Sequence, residues 1–140
     1  MDWKLEVVVV PVSDVDRAKE FYADKVGFRL DVDHRAGENF RVVQLTPPGS
    51  ACSITIGTGI GDGVPGTVRG LQLVVSDIEA AHAELVSRGV ECSEISHFVE
   101  GQMQPGPDPE RREYGSFVFF ADPDGNSWAV QEGRRSESPA

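Results

Sequence analysis

Leu5 to Val10 is an unbroken apolar, β-branched run, which predicts a buried strand. Ser13 follows as an N-cap candidate, with Asp14 and Asp16 favourable in a first helical turn. Val15, Ala18, Phe21, Tyr22 and Val26 then recur at helical spacing and define an inward face, and Gly27 closes the helix. Phe28 to Asp33 alternates like a strand, Ala36 to Asn39 is a turn, and Phe40 to Leu45 and Cys52 to Ile56 are two more strands around Pro47-Pro48-Gly49. Five glycines in the ten residues from Gly57 to Gly66 read as a linker.

The pattern then starts again. Leu71 to Val75 is a strand, and Ser76-Asp77-Ile78-Glu79 is a capping box. Ile78, Ala81, Leu85 and Val86 form a helix face that ends at Gly89. Val90 to Ile95 reads as a strand, Phe98 to Arg112 as a long polar loop, and Tyr114 to Ala121 with Asn126 to Gln131 as a last hairpin. The chain is therefore βαβββ twice over: a first module at 1–57, a Gly-rich linker at 58–69, a second module at 70–132, and a polar, disordered tail at 133–140.

The repeat has two registers. Ser13-Asp14 returns as Ser76-Asp77, 63 residues on, but Thr46-Pro47-Pro48-Gly49-Ser50 is answered by Asp122-Pro123-Asp124-Gly125-Asn126, 76 residues on. The second half thus carries 13 extra residues, and the 98–112 loop is where they fit. Loops this long are lids or binding loops, or plain surface insertions.

Composition narrows the partners. A chain of 140 residues makes one domain or two small halves sharing a core. A net charge of −10 argues against nucleic acid or an anionic membrane surface. No apolar run is long enough for a membrane span, and Met1-Asp2-Trp3-Lys4 does not open like a signal peptide, so a cytoplasmic protein is expected. Cys52 and Cys92 have no metal-type spacing and read as buried free thiols.

Pro11-Val12-Ser13-Asp14, Phe21-Tyr22 and Gly27-Phe28 in the first half carry a resemblance. So do Val75-Ser76-Asp77-Ile78, Arg88-Gly89-Val90 and Phe120-Ala121-Asp122-Pro123-Asp124-Gly125-Asn126 in the second. Together they resemble the vicinal oxygen chelate superfamily, the glyoxalase, bleomycin-resistance and extradiol-dioxygenase group, over about residues 4–132. The resemblance implies an α+β fold, two βαβββ modules forming a curved eight-stranded mixed sheet around a cavity, and a homodimer.

Metal-dependent members hold a divalent ion with one side chain from each of the first, fourth, fifth and eighth strands. Carried over position by position, these fall on Val7, Ser53, Gly70 and Ala129. Val, Gly and Ala offer no donor atoms, and a slip of two residues gives only Val9, Thr55, Gln72 and Gln131. No metal and no cofactor are therefore expected. His34, His82 and His97 fall elsewhere.

Strand parity then supplies the cavity lining. Closing the last hairpin at Asp122–Asn126 pairs Phe119 with Ala129 and Phe117 with Gln131, and turns Phe120 and Trp128 towards the helices. The 76-residue shift sets Arg41 and Val43 beside Thr55 and Ser53. The expected site has aromatic walls, Phe117 and Phe119, and polar points at Arg41, Ser53, Thr55, Gln72 and Gln131, with Arg41 as an anchor for a carboxylate or phenolate. The foremost reading is a metal-free protein that binds a small, partly apolar ligand, aromatic or antibiotic. A lyase, isomerase or dioxygenase using Glu100, Glu110, Glu113 or His97 from the long loop is a second reading. A dimerisation or regulatory module without ligand is a third.

Overall fold

The computed structural model describes residues 1–133, so the expected tail lies outside the described residues apart from Gly133. The chain is α+β, with strands in one four-stranded and one five-stranded sheet. It forms two compact units. The first is Met1–Val68 together with the turn Asp122–Asn126; the second is Arg69–Ala121 with the described residues from Ser127 onward.

In the first unit, β1 (Val7–Val9), β2 (Arg29–Arg35), β3 (Arg41–Thr46) and β4 (Ser53–Thr58) take the order β1-β4-β3-β2. β1 runs parallel to β4 and the other pairs are antiparallel. Helix α1 (Val15–Lys19) lies against β4 and continues as a wider π-helical segment, Glu20–Val26. Gly27, at φ 90°, ends it in the left-handed conformation glycine adopts without steric cost. Val10, Ala18, Tyr22, Val43, Leu45 and Ile56 are fully or almost fully buried and make the core.

In the second unit, β5 (Leu71–Val75), β6 (Ser96–Val99), β7 (Gln102–Pro105), β8 (Ser116–Ala121) and β9 (Ser127–Glu132) take the order β5-β9-β8-β6-β7. Helix α2 (Ile78–Ser87) contacts β8 and β9. Val118, Phe120, Trp128 and Val130 face it, and the Phe120 and Trp128 rings stack 5.9 Å apart at 3°.

Five local expectations are corrected, the first being the buried strand at Leu5–Val10: only Val7–Val9 is strand, and Leu5, Val7 and Val9 are exposed. The helix caps are Asp14 and Asp77, one residue after the serines: Asp14 Oδ1 accepts from the Arg17 amide at 3.0 Å and Asp77 Oδ1 from the Ala80 amide at 3.1 Å. The run Val90–Ile95 makes only a bridge from Cys92 to Phe120, and the strand forms later, at Ser96–Val99. The segment read as loop from Phe98 holds a ninth strand. Glu100 (φ 49°) and Gly101 (φ 79°) make a two-residue hairpin turn with both positions left-handed, which matches the strand twist. The cysteines are free but half-buried.

Candidate functional site

The last hairpin has the register expected of it. Phe119 pairs with Ala129, Phe117 with Gln131 and Phe120 with Trp128. Because successive side chains alternate, Phe117 and Phe119 share the face of the five-stranded sheet that points away from α2. Across β9, Gln72 pairs with Ala129 and Val74 with Gln131, which brings Gln72 and Gln131 to the same face. The four expected residues Gln72, Phe117, Phe119 and Gln131 are thus together on one surface.

Two further residues join them. Phe98 meets the Phe117 ring edge-on at 5.5 Å and 83°, and Met103 pairs with Phe98 across the β6–β7 hairpin. The Phe117 and Phe119 rings are parallel within 3° at 5.9 Å. Phe98 is 48% exposed, Phe119 39% and Met103 39%, so the apolar surface is open rather than packed away. Sequence reasoning missed Phe98 and Met103 because Glu-Gly is a weaker hairpin signal than Asn-Gly or Asp-Gly. The arrangement is a shallow aromatic platform with two amides to orient what lies on it.

The first unit separates the other three expected residues. Thr55 pairs with Gln44, not Arg41, and the hydroxyls of Ser53 and Thr46 are 2.6 Å apart. Arg41 pairs with Thr58 and shares its face with Val43 and Leu45, on the α1 side. The register is displaced by three residues from the expected one, and an odd displacement turns a strand over. The cause is the turn. Eight residues separate the closing pair Leu45 and Ile54, but five separate Ala121 from Ser127, a difference of three.

Arg41 is buried and committed. Its Nε and Nη2 donate to the two Asp33 oxygens at 3.0 and 2.9 Å, and Nη1 donates to Asp16 at 2.8 Å. Lys19 donates to Asp33 as well, at 2.7 Å. These bonds, Arg41's first and Lys19's next, hold the Asp33 carboxyl well below the usual carboxylate range. Arg41 contributes to the wall of a separate polar cleft of about 310 Å³ with Ser13, Asp16, Arg35 and Phe40. The ligand-anchoring role expected of it is not supported by this placement.

The positions the resemblance assigns to a metal offer little. Val7 pairs with Ser53 and has no donor; Ser53 is engaged with Thr46; Gly70 has no side chain; Ala129 is buried and apolar. These residues do not fit a divalent ion. Among the described residues, no group of three or more His, Cys, Asp or Glu is placed to hold one.

Two of the candidate bases in the long segment are engaged. His97 is buried, pairs with Ser116 on the α2 side, and has Nδ1 2.7 Å from the Gly106 carbonyl oxygen. Glu110 is paired with Arg112. Asp108 is buried and accepts from the Glu110 and Arg112 amides at 3.0 and 3.2 Å, which lowers its carboxyl and fixes the turn. The segment expected as a lid or a plain insertion is a hairpin followed by a pinned loop.

The profile of the Glyoxalase/Bleomycin resistance protein/Dioxygenase superfamily matches residues 4–130, and the chain belongs to that superfamily. Its fold is similar to that of TnmS3, an antibiotic binding protein from Streptomyces sp. CB03234, with 30% identity, a TM-score of 0.72, and coverage of 95% of this chain and 98% of that one. A glyoxalase/bleomycin resistance protein from the same Streptomyces is 32% identical at a TM-score of 0.68, covering 92% of this chain and 100% of that one. The uncharacterized protein YetH of Bacillus subtilis (strain 168) is 28% identical over 133 residues, covering 92% of this chain and 98% of YetH.

Proposed function

We propose that the protein binds a small, partly apolar aromatic ligand, antibiotics included, without a metal, on the Phe98–Phe117–Phe119 platform. The observation that carries this reading is the run of open aromatic side chains flanked by Gln72 and Gln131. Aromatic faces stack on planar ligands, and amides set orientation by hydrogen bonding, at less desolvation cost than a charged group. The description of TnmS3 as an antibiotic binding protein supports the same reading. Ser53 and Thr55, on the Val7 and Val9 face of the first unit's own sheet, are kept as separate ligand-contact candidates.

A homodimer fits the sequence-level expectation and one structural observation. Trp3, Leu5, Val7 and Val9 alternate along the N-terminal segment and are all exposed, an apolar stripe of the kind a partner chain covers. Free cysteines suit a reducing compartment such as the cytoplasm, and no helix among the described residues is long and apolar enough to cross a membrane.

The test is binding with and without the platform. The wild type, titrated with planar aromatic antibiotics and followed by amide shifts in ¹⁵N-labelled protein, is expected to respond at Phe117, Phe119 and Gln131. The double variant Phe117→Ala, Phe119→Ala should lose about tenfold or more in affinity. Shifts confined to other surfaces would sink the assignment. Elemental analysis after dialysis addresses the metal: one equivalent of Zn, Ni, Fe or Mn per chain would end the metal-free reading.

A further inference from the structure

Along β9 and the residue that follows it, one face carries Ala129, Gln131 and Gly133 in turn. Phe119 stands opposite the first and Phe117 opposite the second. Beside the third lies Tyr114. A Cβ at Gly133 would come within 3.0 Å of Tyr114 Cε1 and 2.9 Å of Val74 Cγ1, so the bare glycine leaves the space this ring occupies. The Tyr114 amide donates to the Glu132 carbonyl at 2.7 Å, and the Gly133 amide to Val75 at 2.8 Å, which fixes both in register.

The backbone is strained where it puts Tyr114 there. Tyr114 has φ 60° and Arg111 φ 49°, left-handed values that bulky side chains rarely adopt. Both are held from outside. Arg111 grips Glu132 through two bonds of 3.0 and 2.9 Å and Glu79 through one of 2.9 Å, and Asp108 ties down the turn before them. What this scaffold presents is a tyrosine that is 43% exposed. Its hydroxyl makes no hydrogen bond with any described residue.

We propose that Tyr114 is a further aromatic of the binding platform and its hydrogen-bond donor, selecting aromatic ligands that carry an acceptor oxygen such as a ketone or quinone carbonyl. The proposal rests on the platform reading above. It adds an open phenolic hydroxyl to the row Phe119, Phe117, Tyr114, at the end where Gly133 leaves room.

The test compares two probes of nearly equal shape, 2-acetylnaphthalene and 2-ethylnaphthalene, titrated into ¹⁵N-labelled full-length protein. The wild type should bind the ketone about tenfold more tightly, the value of one hydrogen bond to a site that otherwise leaves a polar group unpaired. Tyr114→Phe, which keeps the ring, should lose the preference for the ketone. Gly133→Ala, which keeps the phenol but fills its seat, should lose the preference too. Equal affinity of the wild type for the two probes, or a preference retained by Tyr114→Phe, overturns the proposal and leaves the platform standing. Absence of shifts at Phe117 and Phe119 with both probes overturns the platform and the proposal together.

Discussion

The Tyr22 hydroxyl donates to Asp122 Oδ2 at 2.8 Å, between two buried residues a hundred positions apart. Asp122 is the hub of a knot. It also accepts from the Asp124 amide, the Asn126 amide and Asn126 Nδ2, while Asn126 Nδ2 donates to the Pro11 carbonyl and its Oδ1 accepts from the Val68 amide. Asp122 is therefore a structural carboxylate, and the Asp-Pro-Asp-Gly segment serves the fold. Tyr22→Phe leaves the ring and removes the bond, so it should cost about 1–3 kcal/mol in urea unfolding with an unchanged m-value. A loss within about 0.5 kcal/mol, the scale of an ordinary surface change, would show that the knot tolerates the gap.

Asp33 and Arg41 make stability depend on acid. The Asp33 carboxyl is lowered in the folded state, first by the Arg41 bond and then by that from Lys19. A group lowered in this way contributes its full stabilisation above the unfolded value, about 3.9, and loses it as pH falls towards the folded value. Asp33→Asn should thus be less stable than the wild type at neutral pH, and the gap should narrow as pH falls from about 4 to about 2. A gap independent of pH would exclude the mechanism.

Arg41 itself separates fold from site. Since its guanidinium is engaged by Asp33 and Asp16, Arg41→Ala should lower Tm while leaving the affinity for an aromatic probe within about twofold. Loss of affinity in a variant shown to be folded would restore Arg41 to the site.

The Arg111 grip makes a dynamic prediction. Burial alone would push the Glu132 carboxyl up, but bonds from Arg111 and from the Ile78 amide, at the first turn of α2, outweigh it and leave it lowered. Arg111→Ala removes the partner of a buried charge and releases a strained turn. Hydrogen exchange at the Tyr114 amide should accelerate by an order of magnitude or more, while core amides such as Val118 change far less. Unchanged exchange at Tyr114 would mean the loop holds without its arginine.

The N-terminal stripe can be tested by mass in solution. Trp3→Ser with Leu5→Ser should shift light scattering from a dimer to a monomer without altering the far-ultraviolet circular dichroism spectrum. A wild type that is monomeric at tens of micromolar would dismiss the stripe as an interface.

The second half was more legible than the first, for a definable reason. Asp122-Pro123-Asp124-Gly125-Asn126 fixes its turn by local chemistry, so the register of Phe117, Phe119, Ala129 and Gln131 followed from sequence alone. The turn between Leu45 and Ile54 is three residues longer, and that odd difference decides which face Arg41 occupies. Helix positions were visible in the apolar period and their caps were displaced by one residue. The hairpin at Glu100 and the placement of Tyr114 were invisible because each depends on left-handed backbone at a non-glycine residue that rarely adopts it.

Because the turn Asp122–Asn126 belongs to the first unit, that unit is not a continuous stretch of chain. A fragment ending at residue 68 would keep the Tyr22 hydroxyl, the Pro11 carbonyl and the Val68 amide but delete the Asp122 and Asn126 side chains that bond to them. Recombination between relatives at the glycine-rich junction would likewise pair one parent's Tyr22 with another's Asp122. Chimeras of this scaffold should therefore exchange the turn together with the N-terminal half, and treat the strands on either side of it as the true crossover points.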